Sequence, residues 1–196
     1  MPLSDRGPSP LRPPTTPFKI DPAVPIDRDM HPVFHAGRVA VITGAANGIG
    51  RAAARELAKT GMKVAIADVD AAALAALGAE LARAHGEANV LACPTDVSIL
   101  ADVERLRDRV YEAWGEVAVL LNNAGVGAKG TSWEGLDAWK KVMDVNLFGV
   151  VNVQQTFIPY MLPQENQSVV INTGSKQGIT NPPYAPPPFS LFCSRR

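Results

Sequence analysis

Five short apolar runs recur along this chain, and they constrain its fold more than any other feature. They are RVAVIT (Arg38–Thr43), MKVAIAD (Met62–Asp68), NVLACPTD (Asn89–Asp96), VAVLLNN (Val117–Asn123) and SVVINTG (Ser168–Gly174). Their Val, Ile, Leu and Ala run together without polar alternation, as in strands covered on both faces of a parallel sheet. The stretches between them have helical spacing. Ile49–Thr60 reads as a helix ended by Gly61. Asp70 can N-cap a second helix carrying Leu74, Leu77 and Leu81 on one face, with Gly86 after it. Ser98 can cap a third, carrying Val103, Leu106 and Val110 and ending near Gly115. A long fourth helix is expected over roughly Leu136 to Met161. Strands alternating with helices predict βαβ units, and right-handed crossovers put helices on both faces of the sheet. The fold class is therefore α/β, a doubly wound parallel sheet of about five strands, with ligand expected at the carboxyl ends of the strands.

The two ends of the chain have a different texture. Residues 1–36 hold nine of the 17 prolines, with Arg6, Arg12, Lys19 and Arg28 balancing Asp5, Asp21, Asp27 and Asp29. Proline fixes φ and removes amide donors, so this stretch is expected to be a disordered tail. The folded domain is expected over 37–183, and 184–196 reads as an irregular tail. Formal net charge is zero, which gives no electrostatic footprint for nucleic acid or an anionic membrane. No apolar run approaches the roughly 18 residues of a membrane span, and no signal-peptide core is seen at the N-terminus. Cys93 and Cys193 are too few for a disulfide framework, so a reducing, cytoplasmic setting is expected. His31, His35 and His85 have no ligand spacing, and no metal site is expected.

The stretch TGAANGIG (Thr43–Gly50) lies between the first strand and the first helix. Gly44 permits a tight turn, Gly48 lets backbone approach a diphosphate, and Gly50 lets the helix pack close to the strand. With Asn47 and Ile49, these residues form a candidate cofactor-binding turn, because free amides and the helix dipole favour a bound diphosphate there. Asp68 ends the second strand, 18 residues beyond Gly50, where a carboxylate would bond the hydroxyls of an adenosine ribose. A carboxylate repels a 2′-phosphate. No basic residue stands in the turn, where Asn47 is central, and Arg51 lies just after it. The expected cofactor is therefore NAD, preferred over NADP.

These elements, with the TDV at Thr95–Val97, NNAG (Asn122–Gly125), Asn146 in DVNLFG and Ser175 in NTGSKQG, resemble the short-chain dehydrogenase/reductase family over about Gly37 to Pro183. The resemblance implies a Rossmann-type domain and an oxidoreductase acting on an alcohol or carbonyl. It also implies homo-oligomers in the complete form, since the long helix resembles half of the family's subunit interface. By resemblance, Asp96 bonds the adenine amino group with Val97 beside it, and Asn123, Ala124 and Gly125 line the cofactor riboses. By the same resemblance, Asn146 holds a water in the proton relay and Ser175 polarises the substrate oxygen, and these two are the candidate catalytic residues. Trp133, Trp139 and Phe148 are expected to pack rather than bind substrate.

Family members also carry a Tyr-x-x-x-Lys pair on one helix face, and their layout puts the tyrosine near position 188. This sequence has Pro188 there and Phe192 at the lysine's place. Tyr184 is followed four residues later by Pro188, and Pro186–Pro188 forbid a helix starting there. The resemblance stops at Pro183, so the expectation is a sheet incomplete at its C-terminal side and a chain of impaired activity. The alternatives are a non-catalytic NAD-binding or subunit-pairing module, or a fragment without function.

Overall fold

The computed structural model describes residues 31–127 and 135–175. Expectations for residues 1–30, Trp133 and the stretch containing Tyr184, Pro188 and Phe192 lie outside these. Five strands form one parallel sheet: β1 (Val39–Thr43), β2 (Lys63–Asp68), β3 (Val90–Pro94), β4 (Val119–Asn122) and β5 (Val169–Asn172). Their order is β3-β2-β1-β4-β5. The helices are α1 (Gly48–Lys59), α2 (Ala71–His85), α3 (Leu100–Trp114), α4 (Leu136–Met143) and α5 (Gly149–Met161). No helix among the described residues is long and apolar enough to cross a membrane.

Alternation along the buried strands divides the core into two layers. Ala40, Ile42, Val64, Ile66, Val119 and Leu121 pack beneath Ala54 and Ala58 of α1 and Leu74, Leu77 and Leu81 of α2. The intervening Val39, Val41, Ala65, Ala67 and Leu120 face Val103, Leu106 and Val110 of α3 and Val153 and Phe157 of α5. This doubly wound arrangement is the expected one. At the helix ends, Asp70 accepts a bond from Ala73 N at 3.0 Å, and Gly115 closes α3 with φ +75°.

Four details differ from the sequence reading. Ser98 does not cap α3: the N-cap is Ile99 without a side-chain bond, and the Ser98 hydroxyl donates to Asp96 Oδ1 at 2.6 Å. The long fourth helix contains a π-helical turn, Asp144–Phe148, between α4 and α5. Phe148, the last residue of that π turn, is 53 % exposed rather than packed. Within the expected tail, Pro32–Phe34 forms a 3-10 turn, Val33 enters the α1/α2 layer and His35 is buried.

The amino ends of the strands are tied by a buried ion pair. Arg38 Nε donates to Glu116 at 2.9 and 3.2 Å, while its other nitrogens donate to the carbonyls of Pro32 and Gln167. One guanidinium thus joins the segment before β1, the entry to β4 and the approach to β5.

Candidate functional site

Beyond β1 the chain moves outward to β2 and β3, and β4 and β5 then build on the other side of β1. The topology therefore switches between β1 and β4. Loops leaving their carboxyl ends part in opposite directions, and the crevice between them is where such sheets bind ligands.

The Thr43–Gly50 turn is built by contact with the β4 loop. At Gly44 (φ +65°) a Cβ would stand 2.7 Å from Ala124 Cα. At Gly50 a Cβ would lie 2.6 Å from Asn123 Nδ2 and overlap the Gly44 carbonyl oxygen. Gly50 thus packs against the turn itself and the β4 loop, rather than against a strand. Gly48 is different: φ is +55° and a Cβ there would meet nothing within 4 Å. Its bare backbone faces open space at the start of α1, beside exposed Asn47 and Ile49. Asn47 makes no side-chain cap bond, so no side chain at the N-cap takes the leading amides. Open backbone, positive helix end and missing cap together fit a diphosphate.

Thr43, which the sequence reading quoted without a role, laces the two loops together. Its hydroxyl oxygen accepts from Asn123 N and Ala124 N, each at 3.1 Å. Asn123 Nδ2 answers by donating to the carbonyls of Thr43 (3.2 Å) and Gly44 (3.1 Å). Only pairing β1 with β4 brings Thr43 to residues 80 positions away, so no local sequence pattern announces it. Asn122 Nδ2 donates to Asn172 Oδ1 at 2.8 Å, which fixes the adjacent ends of β4 and β5.

Asp68 lies beside the glycine turn. Its Oδ2 accepts from Ala46 N at 2.9 Å and its Oδ1 from Asp70 N at 3.0 Å. Each oxygen keeps a further lone pair for a hydroxyl donor. The next loop is anchored in turn: Thr95 N donates to the Asp68 carbonyl at 2.9 Å. Asp96 Oδ1 accepts from Ser98 N and Oγ, and Asp96 N donates to Asp102 Oδ2 at 3.1 Å. That backbone bond, helped by Arg105, holds the Asp102 carboxyl below its ordinary range. Val97 is buried next to it.

Asn146 sits in the π turn and clasps the β4 loop. Its Oδ1 accepts from Val126 N at 2.8 Å and its Nδ2 donates to Val126 O at 3.0 Å. A Cβ at Gly125 would stand 3.4 Å from that Oδ1. The sheet rim thus gathers Gly44, Asn123, Ala124, Gly125 and Asn146 around one crevice, with Asp68 and Asp96 at the neighbouring strand ends. Ser175, partly buried, follows the end of β5 by three residues, on the same rim.

A family model described as short chain dehydrogenase matches residues 38–187. Meso-2,3-butanediol dehydrogenase from Serratia marcescens is 36% identical over 143 residues, covering 72% of this chain and 55% of that protein. NADPH-dependent pterin aldehyde reductase from Arabidopsis thaliana is 37% identical over 145 residues, covering 73% and 58%. Among solved structures, a short chain dehydrogenase/reductase from Burkholderia phymatum in complex with NAD is similar with TM-score 0.75 and 43% identity, over 80% of this chain and 54% of that one. The chain spans about half the length of the curated relatives it matches. With the doubly wound sheet and the ordered motifs at its rim, these matches place the chain in the short chain dehydrogenase family.

Proposed function

We propose that this chain binds NAD(H) in preference to NADP(H), in an oxidoreductase acting on the hydroxyl or carbonyl of a small molecule. The observation that carries the reading is Asp68. Its carboxylate is moored to the glycine turn through Ala46 N, with lone pairs left for ribose hydroxyls and a charge that opposes a 2′-phosphate. The NAD complex of the Burkholderia phymatum relative supports this; the NADPH dependence printed for the Arabidopsis relative makes it a question for measurement. The bound nicotinamide supplies hydride acceptance or donation. The chain's own residues do the rest. Gly48 and the start of α1 receive the diphosphate, Asp96 and Val97 the adenine, and Asn123, Ala124 and Gly125 the riboses. Ser175 polarises the substrate oxygen, and Asn146 holds a water for the proton path with its remaining hydrogen-bonding capacity. A cytoplasmic setting is part of this proposal.

The residues after Ser175 contain no Tyr-x-x-x-Lys. A positioned acid/base group typically contributes about 10²–10⁴-fold, so these 196 residues alone are proposed to bind cofactor and turn over poorly. A cofactor-binding, subunit-pairing module is a second reading, favoured by exposed Leu136 and Phe148 on the α4–α5 rod. Fluorescence titration with NADH and NADPH tests the cofactor reading. NADH should bind more tightly, and Asp68→Ala should narrow the gap; equal affinities in the unmodified chain would refute it. Robust alcohol oxidation by this chain, abolished by Tyr184→Phe, would refute the impairment.

A further inference from the structure

Val97 is held from a direction that the motif around it does not reveal. Its carbonyl accepts from Asn152 Nδ2 at 3.0 Å, across 55 positions of sequence. Its side chain presses on the same helix: a Cβ at Gly149 would lie 2.6 Å from Val97 Cγ2. Gly149 and Asn152 are three residues apart, on one face of α5. That face therefore grips Val97 at both ends, by an amide donor and by a space only glycine leaves. Asparagine is a mediocre helix former, and in α5 its side chain spends its amide hydrogen on a neighbouring loop. The rest of the loop is held by β2 through Thr95 N and by α3 through Asp102. The third tie comes from the helix that continues directly from the π turn carrying Asn146.

We propose that Asn152, seated over Gly149, is a positioning residue for the adenine end of the cofactor. By fixing the Val97 peptide it sets where Asp96 and Val97 meet the base. It also joins the adenine loop to the helix that places Asn146 against Val126. The inference rests on the assignment of Asp96 and Val97 to the adenine in the proposed function. Asn152 itself touches no cofactor in this account.

The test uses the 196-residue chain with Asn152→Leu, which keeps the branched outline, removes the amide and does not weaken the helix, and Asn152→Asp, which turns a carboxylate toward the Val97 carbonyl. Affinities are measured for 5′-AMP, NADH and reduced nicotinamide mononucleotide, with a thermal melt of each variant. Asn152→Leu should weaken 5′-AMP and NADH alike by roughly three- to tenfold, the span of one neutral hydrogen bond. Asn152→Asp should weaken them more at pH 7, and the nicotinamide mononucleotide should bind unchanged to both. Equal loss for both fragments would mean general loosening and would overturn the proposal, as would failure of both variants to fold. If the unmodified chain binds 5′-AMP and both variants keep that affinity, the positioning role alone falls. If the unmodified chain does not bind 5′-AMP, the adenine assignment falls and takes this inference with it.

Discussion

Replacing Arg38 with Met should unfold this protein more readily than any surface change, while leaving the proposed cofactor site alone. Arg38 and Glu116 are each only 1% exposed, and the guanidinium also serves the carbonyls of Pro32 and Gln167. Removing one partner of a buried pair strands the other charge, at a typical cost of about 3–5 kcal/mol. At about 2–4 °C per kcal/mol for a chain of this size, the melting point should fall by about 6–20 °C. Arg38→Met with Glu116→Leu should recover most of the loss, since no charge is then left buried and only the two carbonyl contacts are missing. Burial already pushes the Glu116 carboxyl up, against the opposing pull of Arg38. A raised folded pKa means that the folded chain holds the proton more tightly than the unfolded one. The contribution of Glu116 is thus full below the ordinary carboxylate range and is lost as pH rises through the raised value. Without Arg38 the upward push grows, so the deficit of Arg38→Met against the unmodified chain should be large at pH 7 and shrink toward pH 5. Urea unfolding followed by circular dichroism at both pH values measures this. A loss under about 1 kcal/mol at pH 7, or a double variant no better than the single, would refute the reasoning. NADH affinity of the folded variant should not change, because the pair sits at the amino ends of the strands and the site at their carboxyl ends.

Gly50→Ala should abolish measurable NADH binding, because its Cβ would collide with the Gly44 carbonyl and Asn123 Nδ2; near-normal affinity by titration would show that the turn adapts. Acid should weaken the α1–α2 contact. Arg55, with help from Arg51, lowers the Glu80 carboxyl to about 2, so its contribution is present above the ordinary carboxylate range and lost as pH falls toward that value. Glu80→Gln should flatten that acid limb of the stability curve, and an unchanged limb would assign it elsewhere. β5 has no neighbour on its outer edge among the described residues, and Ile171 is exposed there. Exposed edges template association. The chain should elute above monomer size by light scattering and melt higher with NAD, by about 2.7 kcal/mol at a hundredfold excess over Kd. A sharply melting monomer indifferent to NAD would contradict this.

Much of this protein was written locally. Uninterrupted apolar runs require cover on both faces, so the strands, their parallel arrangement and the two helix layers were legible in residues such as Val39–Thr43 and Lys63–Asp68. Gly44, Gly48 and Gly50 were legible as a turn because glycine is selected by backbone shape and close approach, both short-range demands. The cap at Asp70 was legible for the same reason. Local pattern failed wherever a side chain had a competing partner. Ser98 looked like a helix cap and serves Asp96 instead, since a hydroxyl takes whichever partner the folded loop presents. The helical spacing from Leu136 to Met161 hid the π turn that holds both Asn146, bonded to Val126, and exposed Phe148. Val33 carried no periodic signal, and its burial depends on a layer assembled from α1 and β1. Thr43, Asn123 and Asn152 join segments 55 to 81 positions apart. A hydrogen bond over such a separation has no sequence period, because only the pairing of β1 with β4 and the packing of α5 against the Val97 loop bring donor and acceptor together.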